Sequence, residues 1–344
     1  MLKTLLLAAT LTAGNALLVQ AQQPVRIKAG ISNSVTDVGF FIADRKGYFR
    51  REGLEVELIP FDSGARMIAP FASGDLDVGA GGPSTAFYNA VARGIDVRIV
   101  ADKGSTPKGR PISYLAVRRD HVVSGRYKGL ADLRGMTIAT AAPGGVMGPV
   151  LDRALILGGL RAADVERVYM GFPQQAVALR NKAIDAAFPT EPFVTETEKL
   201  GFITRFQGDD ELYPSHQIAA VIFSGQFITG KGDAARRFIR AYLAGVRDYS
   251  DAIEDGRLHG AKGEEIVSIL TQYTLVKDPA VHRAVRAVYI NPDGHLNIDS
   301  LRDDLESFSR DGAVEGRVEL AKAVDLSFVE AALRQLGPWR KSQH

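Results

Sequence analysis

The chain of 344 residues contains no cysteine. That absence removes disulfides, thiolate metal sites and thiol nucleophiles together, and leaves no thiol to carry a lipid. Charge of one sign is missing too: 42 Lys and Arg balance 40 Asp and Glu, a formal net charge of +2. With no basic block and no aromatic–basic stripe, nucleic acid is excluded as an expected partner. The six histidines (His121, His216, His259, His282, His295 and His344) are scattered without HExxH or carboxylate spacing, so no metal centre is expected. Neither Gly79-Ala80-Gly81-Gly82 nor Gly144-Gly145 fits a dinucleotide fingerprint or a P-loop, and no Gly-x-Ser-x-Gly elbow occurs. No cofactor is expected. After residue 21 no apolar run approaches the ~20 residues that span a bilayer.

What is present begins with Met1-Leu2-Lys3, an interrupted apolar run from Leu5 to Leu18, and Val19-Gln20-Ala21. A charged start, a hydrophobic middle and small residues at −3 and −1 are the pattern of a secretory leader cut after Ala21. Removing Lys3 with it leaves 41 basic and 40 acidic residues. Export to a periplasm and a free, unanchored protein are expected. Length and an apolar share of 46% suffice for two domains with their own cores.

One pattern occurs twice. Gly74-Asp75-Leu76-Asp77-Val78-Gly79-Ala80-Gly81-Gly82-Pro83-Ser84-Thr85 reads as a buried strand, a Gly/Pro turn and a helix start, and Lys182-Ala183-Ile184-Asp185-Ala186-Ala187-Phe188-Pro189-Thr190-Glu191-Pro192 has the same shape. Asp77 answers to Asp185, and Phe61 to Phe172. Around them the periodicities alternate. In the first half, strands at Val25–Ile31, Leu54–Phe61, Leu76–Ala80 and Val97–Ala101 alternate with helices at Val38–Phe49 and Ser84–Arg93. After a Pro/Gly/Lys-rich break at Gly104–Arg110, strands at Met136–Ala141, Val165–Met170, Ile184–Phe188 and Phe202–Phe206 alternate with helices at Val146–Leu157, Gln174–Asn181 and Pro192–Leu200. His216–Phe223 reads as a return strand, and helices follow to the end. Repeated βα winding implies α/β lobes with mostly parallel sheets. Two such lobes facing each other make a cleft.

The run Gly47-Tyr48-Phe49, Glu52-Gly53-Leu54-Glu55-Val56 and Gly74-Asp75-Leu76-Asp77-Val78-Gly79, with Leu130-Ala131-Asp132-Leu133-Arg134-Gly135-Met136 in the second half, resembles the solute-binding proteins of bacterial ABC importers. The likeness is to the group serving nitrate, sulfonates and taurine, and thiamine-pyrimidine precursors, and covers about residues 25 to 250. It implies a two-lobe periplasmic binding protein of type II, joined by a hinge, with C-terminal helices. The domains are then a leader at 1–21, a first lobe from 22–110 with 216–344, and a second lobe at 111–215. The implied partners are a small organic solute and an inner-membrane permease, the protein acting as a monomer and not as an enzyme. Two rivals stand beside this: a pyrimidine-synthase-type enzyme on the same fold, which the missing cysteine disfavours, and a sensor subunit for a membrane receptor.

In open α/β sheets ligands sit beyond the carboxyl ends of the strands, at helix N-termini. The candidate binding residues are therefore Ser32, Asn33 and Thr36; Ser63 and Gly64; Gly82, Ser84 and Thr85; Gly144, Gly145 and Val146; and Thr190 and Glu191. Phe40 and Phe188 are candidates for stacking on a ligand ring. Helix termini and hydroxyls suit a carboxylate or sulfonate, whereas Phe188 and Glu191 suit an aromatic or amine-bearing molecule. Arg66, Arg180 and each histidine read more simply as solvated or packed side chains, although His216 stands near the return crossing. N-terminal sequencing of exported protein is expected to begin at Gln22; a product retaining Met1 would refute the leader.

Overall fold

The computed structural model describes residues 23–341; the expected leader lies outside the described residues. Ten strands, β1 (Val25–Ile31), β2 (Leu54–Pro60), β3 (Val78–Gly81), β4 (Val97–Ser105), β5 (Tyr114–Arg118), β6 (Thr137–Thr140), β7 (Glu166–Tyr169), β8 (Ala186–Ala187), β9 (Ile203–Gly208) and β10 (Gln217–Ser224), form two five-stranded sheets. Their orders are β2-β1-β3-β10-β4 and β7-β6-β8-β5-β9. In each sheet four strands run parallel and one, β10 or β5, runs antiparallel in the fourth place. Each antiparallel strand is the first laid down after the chain has crossed from the other sheet.

The repeated aspartates explain how each sheet is tied. Asp77 opens β3, its amide donating to the Lys28 carbonyl (3.1 Å) and its Oδ2 accepting from the Lys28 amide (3.0 Å). Asp185 does the same before β8: its amide donates to the Thr137 carbonyl (2.9 Å) and its Oδ2 accepts from the Thr137 amide (3.0 Å). Each carboxylate thus completes the ladder at the start of its central strand, where a backbone partner has run out.

Helices cover both faces. Val38–Arg45 packs on the long helix Gly232–Asp251, with Phe40 against Phe238 and Tyr242 at ring-centroid distances of 5.7 and 4.9 Å. The tail backs the first sheet and also reaches the second lobe. Val276 and Val281 pack with Phe193, and Lys199 Nζ lies 2.7 Å from Asp278 Oδ2.

Several expected boundaries move. The helix expected over Val38–Phe49 breaks at Gly47, which adopts φ 72°, and resumes at Tyr48–Arg51. Gly104 and Ser105 do not interrupt the chain but finish β4. The stretch expected as a strand at Ile184–Phe188 is ladder only at Ala186–Ala187. Strand β5 has no counterpart in the sequence reading, and the polar stretch before β10 holds a helical turn at Asp209–Leu212.

The two crossings run side by side. The Thr106 amide donates to the His216 carbonyl (3.0 Å) and the Ser215 amide to the Thr106 carbonyl (2.7 Å). Asp209 reaches across to accept from the Ile112 and Ser113 amides at 3.0 and 2.9 Å. Complete burial pushes its carboxyl up to about 8 against the pull of those amides. His216 sits at this crossing, its Nε2 2.7 Å from Asp304 Oδ2 on the helix Ile298–Arg310.

Asp185 supplies a test of the repeat. Burial works to raise its carboxyl, but the Thr137 amide, His121 and Arg126 outweigh that and hold it below the usual range. A depressed carboxyl stabilises the fold above its unfolded value and loses that contribution as pH falls through the folded value. Asp185→Ala is expected to lower unfolding free energy by about 1–3 kcal/mol near neutrality. The gap to wild type should narrow below about pH 4 in denaturant titrations.

Candidate functional site

Both sheets turn the carboxyl ends of their parallel strands toward one space, where a cavity of about 80 Å³ lies between the lobes. At about 10–15 Å³ per water-sized position, it holds on the order of half a dozen heavy atoms. The first lobe lines it with Ser32, Ser34 and Thr36 after β1, Ser63, Gly64 and Ala65 after β2, Gly81, Gly82 and Ser84 at the end of β3, and Ile218 and Ala219 at the start of β10. Ile112 and Ser113 come from the crossing before β5. Ala141, Ala142, Gly145, Val146 and Met147 follow β6, Phe172 follows β7, and Thr190 follows β8.

The lining has a clear polarity. Seven of these residues carry hydroxyls, five of them in the first lobe, and among the described residues no charged side chain lines the cavity. The second lobe contributes mainly methyl, methylene and ring surface. Three helices begin at its wall: Thr85–Ala92, capped by Ser84, whose Oγ accepts from the Phe87 amide (3.4 Å), then Met147–Leu157 and Phe172–Arg180. Their N-terminal ends bring partial positive charge to the wall. Ser63 Oγ is buried and makes no hydrogen bond within the protein.

Behind the first-lobe hydroxyls is an ion pair that the sequence reading missed. Lys103, on β4, is 0% exposed, and its Nζ lies 2.8 Å from Asp37 Oδ1. The same ammonium donates to Thr36 Oγ1 (2.8 Å) and Ser32 Oγ (3.1 Å). Asp37 Oδ2 in turn accepts from the Ser32 and Ser34 amides at 3.1 and 2.9 Å, so the loop after β1 is wrapped around this pair.

The lobes touch through backbone. The Thr85 amide donates to the Gly144 carbonyl (2.9 Å), and the Val35 amide donates to the Glu191 carbonyl (3.3 Å). Gly144 has φ 60°, and a methyl there would sit 2.0 Å from Thr85 Oγ1. At Gly82 a methyl would meet Val146 of the other lobe at 2.9 Å. Both glycines permit close approach of one lobe to the other.

Of the expected residues, Ser32, Thr36, Ser63, Gly64, Gly82, Ser84, Gly145, Val146 and Thr190 come together at the cavity. Thr85 and Gly144 bond each other beside it, and Asn33 occupies the turn between lining residues. Three expectations are corrected. Phe40 and Phe188 are fully buried in the hydrophobic core, because their side chains follow the core-facing side of their elements. Neither ring faces the cavity. Glu191 is 1% exposed and its carboxylate turns inward, accepting from Thr195 Oγ1 (2.8 Å) and Arg205 Nη1 (3.0 Å). Burial pushes that carboxyl up while Arg205 and Thr195 draw it down. Arg66 stays exposed beside Asp62, and Arg180 is exposed.

Sequence reasoning also passed over Ile112, Ser113, Phe172, Ile218 and Ala219. Extending the repeat to the antiparallel strands would have found two pairs, since Ile112-Ser113 precede β5 as Ile218-Ala219 open β10.

Two α/β lobes of this strand order around such a cavity define a periplasmic binding protein fold. The chain belongs to the NMT1-like family, whose model matches residues 20–255. A putative binding protein of Brucella abortus is 25% identical over 214 residues, 61% of this chain and 62% of that protein. The chain thus spans about three fifths of the length of the curated relatives it matches. Among solved structures, the periplasmic nitrate-binding protein NrtA from Synechocystis superposes with a TM-score of 0.75 at 14% identity, covering 92% of this chain and 90% of that one. The alkanesulfonate-binding protein SsuA from Xanthomonas axonopodis, bound to MOPS, gives 0.68 at 18% identity, covering 88% and 99%. The desulfurization enzyme DszB gives 0.61 at 15% identity, covering 91% and 99%. At these identities the likeness establishes the fold.

The contact at Gly144 yields a test. Gly144→Ala should lower the unfolding free energy of the protein by about 1–2 kcal/mol, from the left-handed backbone alone. Denaturant titration beside wild type measures the loss, and an unchanged midpoint would show that the position does not need a glycine.

Proposed function

We propose that this protein binds a small organic acid between its lobes and delivers it to the permease of an ABC importer, from the periplasm. The observation that carries the reading is the cavity itself, set at the carboxyl edges of both sheets and lined by hydroxyls and helix N-termini on one side and apolar surface on the other. Hydroxyl and amide donors suit the oxygens of a carboxylate or sulfonate. The apolar side suits a short hydrocarbon or ring portion. With Glu191 committed to Arg205 and Thr195, the cavity has no carboxylate to hold an amine. NrtA is named as nitrate-binding, SsuA as alkanesulfonate-binding and the Brucella relative as a putative binding protein, which supports a solute of this kind.

Binding then works by population shift. A solute that touches both lobes only when they meet stabilises the closed form, with the crossings near residues 110 and 216 as the hinge between a first lobe of 22–110 and 216–344 and a second of 111–215. The closed form is what the permease reads.

An enzymatic reading has the DszB likeness in its favour. Against it, among the described residues no histidine lines the cavity, and the carboxylate beside its hydroxyls, Asp37, is held by Lys103 and by the Ser32 and Ser34 amides. Lys103, ion-paired with Asp37, donates to the hydroxyls it touches.

Ser63 gives the decisive measurement. Its hydroxyl bonds nothing in the protein, so Ser63→Ala should leave thermal stability unchanged. If the hydroxyl donates to an acid, affinity for the copurified solute, identified by native mass spectrometry, should fall by about 1.5–3 kcal/mol. Small-angle scattering of wild type should show compaction on adding that solute. Unaltered affinity together with an unaltered scattering profile would overturn the reading.

A further inference from the structure

We infer that Lys103, which lies outside the cavity, fixes the direction of the hydroxyl chain on its floor and so restricts the site to solute heads that only accept hydrogen bonds; the inference rests on the cavity being the solute site. An ammonium has three protons and no lone pair. Lys103 donates to Thr36 Oγ1 and Ser32 Oγ, at 2.8 and 3.1 Å, and its Nζ lies 2.8 Å from Asp37 Oδ1. Both hydroxyl oxygens are therefore acceptors toward Lys103, and each must send its own proton elsewhere.

For Thr36 the near acceptor is Ser34 Oγ, at 2.7 Å. Ser34 Oγ also accepts from the Thr36 amide at 3.3 Å. With both of these bonds arriving, the Ser34 proton is left to point into the cavity that Ser34 lines. For Ser32 the acceptors within the protein, Ser34 Oγ and Asp37 Oδ2, are both at 3.4 Å, the long end for a hydroxyl. Its proton too is available to a solute.

The sense of the chain is thus Lys103 to Thr36 to Ser34 to solute. Asp37 cancels the charge of Lys103, so the floor offers directed donors without net charge. A carboxylate, sulfonate or other oxyanion meets donors only. An amide, amine or protonated acid would set its own hydrogens against these. Lys103 is a positioning residue: it touches no solute and acts through Thr36 and Ser34.

The test compares acids with their neutral amides. Propionate and ethanesulfonate, against propionamide and ethanesulfonamide, are titrated calorimetrically into wild type, the charge-neutral double variant Lys103→Met with Asp37→Asn, and Ser34→Ala. Wild type is expected to favour at least one acid over its amide by tenfold or more. In the double variant that preference should collapse, acid affinity falling at least tenfold while amide affinity stays within about threefold. Ser34→Ala leaves the ion pair in place and should show the same loss if the double variant does not fold. A purely structural role would lower both members of a pair alike. Variants that keep the wild-type ratio overturn the role of Lys103 and leave the cavity reading standing. A wild type that binds neither acids nor amides overturns the small-acid reading itself, and this inference with it.

Discussion

The chain passes between the two sheets twice, and the two passages are bonded to one another. This constraint governs everything else in the molecule. Thr106 exchanges hydrogen bonds with Ser215 and His216, and Asp209 holds the amides of Ile112 and Ser113. The two passages lie together, and the carboxyl edges of the two sheets face each other across the cavity. The cavity exists because those edges are the parts the crossings bring together.

Within the cavity the lobes divide the work. Loops after β1, β2 and β3 bring hydroxyls, and the ion pair of Lys103 and Asp37 organises the first of these loops from behind. Placing a lysine and an aspartate at zero exposure is costly unless every polar atom near them is engaged. Here the ammonium is ion-paired with Asp37 and donates to Thr36 and Ser32, and Asp37 accepts from the amides of Ser32 and Ser34. The second lobe instead supplies Ala141, Ala142, Val146 and Phe172, which shape the space without adding donors.

Much of this organisation was legible in the residues. The repeat around Asp77 and Asp185 was visible as spacing, and its meaning is a carboxylate standing in for a missing ladder partner in each sheet. The loops at the cavity followed from the rule that open sheets bind at their carboxyl ends. What spacing does not reveal is which way a side chain points at such an end. Phe40, Phe188 and Glu191 lie near the right edge and face the core, and the match of Phe61 to Phe172 does not extend to function, since only Phe172 lines the cavity. Strand β5 was hidden because Tyr114-Leu115-Ala116-Val117-Arg118 is a short run next to a Pro/Gly-rich crossing. Lys103 was hidden because lysine is seldom fully buried, and its partner Asp37 lies 66 positions earlier.

The place of the antiparallel strand also sets an order of assembly. The second sheet is drawn wholly from one continuous stretch, β5 to β9, so every strand it needs has been supplied by residue 208. In the first sheet β10 lies between β3 and β4, although more than a hundred residues separate it from either. Until that late strand arrives, β4 has no ladder partner among the earlier strands, and the facing edge of β3 stays open. Contacts that must wait for distant chain form late. The middle stretch of the polypeptide, Tyr114 to Gly208, can thus complete its sheet before the first sheet, which is begun earlier, can be closed.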